Sequence, residues 1–151
     1  MVSFPLPHAM RLALDIAAEA SSRGEVPVGA VIVREGEVVA TAANAMRAGN
    51  DPTAHAEMQA IRSASRHLAA QRLDDCDLYV TLEPCAMCAG AISHARIRRL
   101  YYGADDPKGG AITYGPRFFS QPTCHHRPET YAGIGGAESA MLLQHFFRER
   151  R

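Results

Sequence analysis

Two short patterns constrain this chain more than anything else in it: His55-Ala56-Glu57, and downstream Pro84-Cys85-Ala86-Met87-Cys88. An imidazole and two thiols are ligand types that a tetrahedral zinc ion takes. Three protein ligands leave one corner for water, the composition of catalytic sites, whereas structural sites are closed by a fourth protein ligand. Glu57 is then a free carboxylate beside the metal, able to move protons. Cys85 and Cys88 stand three residues apart, on one side of a helix's first turn. There the positive end of the helix favours thiolate. Residues two apart do not share a face in mid-helix, so His55 and Glu57 converge only near a helix start. Asp51-Pro52-Thr53 is such a start signal. The fold must bring two helix starts to one point. Two other readings use the same residues. In one, they are small buried side chains and a satisfied core histidine. In the other, a structural zinc is closed by Cys76, Cys124, His125, His126 or Glu57.

A chain of 151 residues reads as one domain, 1–151, large enough to bury a core. Its net charge is zero, from 16 basic and 16 acidic residues, which argues against coating nucleic acid through an overall field. A local basic groove stays open. Four cysteines are too few for a disulfide scaffold of this size, so a reducing compartment is expected. Residues 1–7 lack a basic start followed by an apolar run, and no apolar stretch approaches a membrane span. A soluble, cytoplasmic protein without membrane contact is expected.

Ala9, Met10, Leu12, Ala13, Ile16, Ala17 and Ala20 recur at helical spacing, with Gly24 as the stop. Residues 26–33 and 38–43 are β-prone around a 34–37 turn and read as a hairpin. Residues 44–51 read as a loop. A second helix follows with Met58, Ile61, Ala64, Ser65 and Leu68 on one face. Residues 78–82 read as a strand. Pro84 suits the first turn of a third helix, where its missing N–H costs nothing. Ala86, Ala89, Gly90 and Ala91 make that helix slim enough for close packing. A strand at 98–103, a Gly- and Pro-rich loop at 104–128 and a strand or connector at 131–134 come next. A helix over 138–150, apolar through Ala140, Met141, Leu143 and Phe147, closes the chain. Alternating strands and helices imply a sheet covered on both faces, and the hairpin makes it mixed.

On the zinc pattern the chain resembles the zinc-dependent nucleobase deaminase superfamily, whose signature and chemistry are a known example of base-flipping enzymes. Segments 25–31, 51–57, 78–91 (LYVTLEPCAMCAGA), 103–108 and 146–148 narrow the resemblance to the bacterial tRNA-adenosine deaminase branch. That resemblance implies an α/β fold, a three-layer α/β/α cytidine-deaminase-like arrangement with a central mixed five-stranded sheet. It implies one zinc per subunit on His55, Cys85 and Cys88, with Glu57 as proton donor and acceptor. It further implies a homodimer acting on the wobble adenosine of a tRNA anticodon stem-loop to give inosine and ammonia. On the substrate side it places Asn44 against the target base and the backbone of Gly29 and Ala30 in the pocket wall. Pro84 belongs to the same wall, and Asp106 touches the strand. The run Gly109-Gly110-Ala111-Ile112-Thr113 departs from the family's more usual small residues.

Single-stranded loops are held by aromatic stacking and backbone charge. Phe118, Phe119, Phe146 and Phe147, near Arg117, Arg148, Arg150 and Arg151, are candidates, with one phenylalanine of each pair equally assignable to the core. Lys108, Arg96, Arg98 and Arg99 are candidate phosphate contacts. Cys124-His125-His126 is metal-like in isolation but suits polar loop surface, with either histidine able to stack on a nucleotide. Deamination of a free base, guanine or cytosine, is the competing function on this fold, and a zinc-stabilised scaffold the third.

Overall fold

The computed structural model describes residues 5–150. Residues 1–4 and 151, which include part of the N-terminal stretch and the candidate Arg151, lie outside the described residues. In chain order the elements are α1 (His8–Ser22), β1 (Gly29–Arg34), β2 (Glu37–Ala43), α2 (Met46–Gly49), α3 (Ala56–Leu68), β3 (Cys76–Leu82), α4 (Ala86–Ala95), β4 (Arg99–Ala104), a 3-10 turn (Phe118–Ser120), β5 (Glu129–Tyr131) and α5 (Gly136–Arg148).

The five strands form one sheet in the order β2-β1-β3-β4-β5. β1 pairs antiparallel with β2 and β3, while β3–β4 and β4–β5 are parallel, so the expected mixed sheet is present. Side chains alternate across a strand, and this alternation splits the core in two. Ala30, Ile32, Leu78, Val80, Leu100 and Tyr102 join Ala56, Ala60 and Ala64 of α3 and Ala89, Ile92 and Ala95 of α4. Val31, Val33, Tyr79 and Tyr101 face Met10, Ala13 and Leu14 of α1 and Leu142 of α5. Two helices on each face make the three layers. No helix among the described residues is long and apolar enough to cross a membrane.

Several boundaries differ from the periodicity reading. The hairpin's first strand runs over 29–34 rather than 26–33, and β5 covers 129–131 rather than 131–134. The 44–51 loop contains the helical turn α2. The Asp51-Pro52-Thr53 signal makes a local turn in which Asp51 Oδ1 accepts from Thr53 N–H (2.9 Å) and Oγ1 (2.7 Å). Helix α3 begins later, at Ala56. Of the expected Met58, Ile61, Ala64, Ser65 and Leu68 face, Ala64 is buried and Ile61 and Leu68 pack at the core's margin, but the fully buried stripe is Ala56, Glu57, Ala60 and Ala64, because small residues let the helix lie close on the sheet. In α5 the buried residues are Ser139 and Phe146, whereas Met141 is 68% and Phe147 50% exposed. Gly24 ends α1 as expected, with φ +81° and its N–H donating to Ser21 O (3.0 Å).

Close approach of α1 to β1 depends on one glycine. A Cβ on Gly29 would lie 2.1 Å from Ala13 O and 3.0 Å from Ala17 N, both backbone atoms. Gly29→Ala is therefore expected to destabilise the chain by at least about 1–3 kcal/mol, the usual cost of overpacking. Gly49→Ala meets only Asp51 Cβ at 3.8 Å and should stay within about 1 kcal/mol of wild type. Chemical denaturation of the two variants checks the contrast.

Candidate active site and metal centre

His55 and Cys85 occupy equivalent positions on two helices. Each is the N-cap residue with extended backbone (φ −70°, ψ 151° and φ −76°, ψ 176°), and neither spends its side chain on capping. Their carbonyls accept the first helical bonds, from Gln59 N–H (3.0 Å) and Ala89 N–H (2.8 Å). Both side chains are left free to turn toward each other. Asn44 takes over the capping of α3: its Oδ1 accepts the buried Ala56 N–H (2.9 Å), and its Nδ2 donates to Val26 O (3.1 Å).

The ligand atoms of His55, Cys85 and Cys88 all lie within 4.8 Å of one another. His55 Nδ1 is 3.6 Å from each sulfur. A tetrahedral zinc, with bonds of about 2.0–2.1 Å to nitrogen and 2.3 Å to sulfur, requires an N–S edge of roughly 3.5–3.6 Å. Both N–S edges of the triad therefore match a tetrahedral zinc. The Cys85 thiol is lowered to about 5, first by its hydrogen bond with Cys88, with the Cys88 and Met87 amides and His55 adding to the effect against burial. Cys88 is pushed up by the same shared bond and by burial. The two thiols share one hydrogen bond, and binding of a dication displaces the protons of its ligands. Cys76 contrasts with them: burial raises its thiol to about 11.

Glu57 sits in the first turn of α3 and is 4% exposed. Burial pushes its carboxyl up to about 7; the Cys85 charge adds to this, while its own backbone N–H and His55 oppose it. A carboxyl poised near neutrality can both take and give a proton. Beside it lies a cavity of about 260 Å³ lined by Val26, Val28, Asn44, His55, Glu57, Leu82, Glu83, Cys85, Asp106 and others. It opens at the carboxyl end of β3, where ligands bind in open α/β sheets. A larger cavity, about 480 Å³, adjoins it across Asn44 and holds Arg23, Arg47 and Gln59, but no metal-ligand set.

Residues 6–104 match the model of the cytidine and deoxycytidylate deaminase zinc-binding region. The chain belongs to this zinc-dependent deaminase family. Among its relatives, the Agrobacterium fabrum tRNA-specific adenosine deaminase is 60% identical over 95% of both chains. A solved structure of a tRNA:A34 deaminase that carries out A-to-I editing is also 60% identical, covers 90% of this chain and 99% of its own, and superposes with a TM-score of 0.89. The guanine deaminase from Bacillus subtilis is more distant, at 37% identity and TM-score 0.66, covering 83% of this chain and 85% of its own. The three-layer fold with its mixed five-stranded sheet is that of the family.

Within this deaminase the substrate-side expectations divide. Asn44 and Asp106 line the cavity. Gly29 and Ala30 do not: Gly29 is pressed against α1 and donates its N–H to Thr81 Oγ1 (3.1 Å), and the Ala30 side chain belongs to the core. Val28 lines the cavity in their place. Pro84 lies behind the wall, its carbonyl accepting from Ala111 N–H (2.9 Å). The Lys108 side chain is exposed and outside the cavity lining. Arg98 is held by Asp77 through two bonds of 3.0 Å, and Arg99 by Glu129 at 2.7 Å. Phe119 and Phe146 are core, and Arg150 stacks over the Phe146 ring at 3.6 Å.

Among the described residues, the His55–Cys85–Cys88 group is the metal-ligand cluster, and Cys124-His125-His126 forms none. Cys124 Sγ and the Ser93 hydroxyl both bond His126 O, while His126 Nε2 bonds Ile97 O (2.6 Å), so this segment pins the long loop to α4. Periodicity missed Glu25 and Glu83, both buried. Glu25 accepts from the Arg47 (3.2 Å) and Ala48 (2.8 Å) amides and so holds α2, whose Met46 lines the cavity. An acidic residue wedged between Leu82 and Pro84 was the available signal for Glu83. Elemental analysis of the purified protein should find one zinc per chain. Cys88→Ala should lose it, and His126→Ala should retain it.

Proposed function

We propose that this deaminase converts the wobble adenosine of a tRNA anticodon loop to inosine, releasing ammonia. The 60% identity to a tRNA-specific adenosine deaminase, running over 95% of both chains, carries the reading. The site supports it. Its cavity lies below the roughly 300–1,000 Å³ usual for ligand pockets, a size suited to one base turned out of a loop.

His55 Nδ1, Cys85 Sγ and Cys88 Sγ would hold the zinc, which when bound supplies Lewis acidity that brings the pKa of a water down to about 7. Glu57 takes a proton from that attacking water and delivers protons to the ring nitrogen and the departing amine. Water's oxygen replaces the amine at the purine carbon, and the products are inosine and ammonia. Asn44 has its carbonyl oxygen committed to Ala56, so toward a base it offers the remaining N–H of Nδ2 as a donor. Val26, Val28 and Leu82 provide the apolar walls that keep bulk water from the base. Asp106 and Lys108 stand near the cavity mouth as contacts to the strand.

With an anticodon stem-loop the wild-type protein should form inosine and equimolar ammonia. Free adenosine, guanine and cytosine should give none at the same concentration. Turnover of a free base in preference to the stem-loop would refute the assignment. Glu57→Ala should keep its zinc and lose at least about 100-fold in rate, the lower end for removing a general acid–base; undiminished turnover would remove Glu57 from the proton path.

The same reading makes the protein a cytoplasmic homodimer. Its four cysteines are free thiols, as a reducing compartment requires. Zero net charge sets up no overall repulsion between copies. The slim face of α4 is partly used within the chain, since Phe118 lies against Gly90 at 3.7 Å. Light scattering at micromolar concentration should report twice the 16.3 kDa chain mass, and a monomer would contradict the assembly.

A further inference from the structure

Glu83 follows the end of β3 and stands two residues before Cys85. It is 2% exposed, yet its hydrogen-bond partners are all backbone amides. Oε1 accepts from Asp106 N–H (3.0 Å). Oε2 accepts from three successive amides, Ile112 (3.1 Å), Thr113 (3.0 Å) and Tyr114 (3.1 Å). An ionised carboxyl is the side-chain group with acceptor capacity on both oxygens and no donor, so it can take four inward-pointing N–H groups. The loop after β4 has no sheet or long helix to satisfy these amides, and buried amides need partners.

The approach is tight. A Cβ on Gly110 would sit 2.4 Å from Glu83 Cδ and 2.6 Å from Asp106 O. Asp106 in turn accepts from the Lys108 (3.2 Å) and Gly109 (3.0 Å) amides, so the turn that begins at the cavity is organised outward from Glu83. Asp106 and Gly109 form the cavity wall that this loop contributes. Ile112 and Thr113, at the end of the Gly109–Thr113 run, both donate to this carboxylate.

We infer that Glu83 is a positioning residue: by gathering the amides of 106 and 112–114 onto one carboxylate, it sets the cavity wall made by Asp106 and Gly109, and so governs how firmly the target base is seated. The inference rests on the cavity being the seat of the tRNA adenine. Glu83 also borders the cavity, but both of its oxygens are committed to backbone amides, so its effect runs through the loop. It is therefore expressed in substrate binding more than in the chemical step.

Glu83→Gln tests this at constant shape. The amide must turn its NH2 either toward Asp106 N–H or toward the three amides on the other side, so at least one pair of donors faces donor to donor. Zinc content is expected to stay at one per chain. Amide exchange at 106 and 112–114 should accelerate at least about tenfold, in line with losing a hydrogen bond to a charged group. For the stem-loop, KM should rise about tenfold with kcat within roughly twofold, the signature of lost binding. Gly110→Ala forces the same loop and the Glu83 carboxylate apart while keeping the carboxylate's charge and acceptors; it should reproduce the rise in KM, and it carries the test should Glu83→Gln fail to fold.

Wild-type KM together with wild-type exchange in Glu83→Gln overturns the inference. So does a fall in kcat or loss of zinc at unchanged KM, which would place the effect of Glu83 on the Cys85 segment instead. A wild-type protein inactive on the stem-loop sinks the proposed function separately. The exchange data, and the KM for whichever base that protein does accept, then still decide whether Glu83 sets the wall.

Discussion

Everything at this site depends on two helix starts being brought together with unusual residues at their caps. Ser, Thr, Asp or Asn at an N-cap satisfies an otherwise unpaired amide and stabilises a helix by about 1 kcal/mol relative to residues that cannot. Here those positions are given to His55 and Cys85, whose side chains do no capping. The lost bond on α3 is recovered from outside, by Asn44 bonding Ala56 N–H. One polar side chain thus does two things. It completes a helix whose own cap has been diverted to metal binding, and it leaves a single N–H donor facing the cavity. The positive ends of both helices point at the triad, which favours the thiolates that a dication needs.

Buried carboxylates are the second organising element, and they are handled in three ways. Glu25 and Glu83 are surrounded by backbone amides and act as anchors for the two segments, α2 and the 104–114 loop, that flank the cavity. Asp77 is matched by the planar fork of Arg98. Glu57 lies against the sulfurs and imidazole, and burial brings it to about 7. An acid in a cleft whose protonation is pushed toward the working pH by desolvation fits a proton shuttle. Anchors of the Glu25 and Glu83 kind cost the protein nothing in chemistry and fix the walls against which that shuttle works.

Much of this was legible from local pattern. β-prone runs bounded by turn residues located most of β1 to β4, while the split of their side chains into two core layers emerged with the strands themselves, whose neighbouring side chains face opposite ways. The ligand set and Glu57 were legible because spacing at a helix's first turn has few geometric solutions. The errors have a common origin. Met58, Met141 and Phe147 looked like core by hydrophobicity, but alanines and a serine took the buried positions. Helix α3 lies so close to the sheet that small volume, rather than apolar character, decides which face is inward, whereas α5 buries Ser139 together with Phe146. Asp51-Pro52-Thr53 carried real turn chemistry, yet it closed a turn two residues short of the helix it was expected to open.

Residue types and spacing alone pointed to the candidate ligand set, the acid beside it and the mixed sheet, since each of these rests on contacts within a few residues or on a repeating period, while the family rested on resemblance over longer segments. The tertiary structure alone decided that Val28 rather than Gly29 faces the cavity, that Arg98 and Arg99 are committed to acids, and that Glu83 gathers amides from 23 to 31 positions away. Backbone amides carry no residue identity, so nothing in a string of letters marks which of them will need an acceptor once the loop has closed.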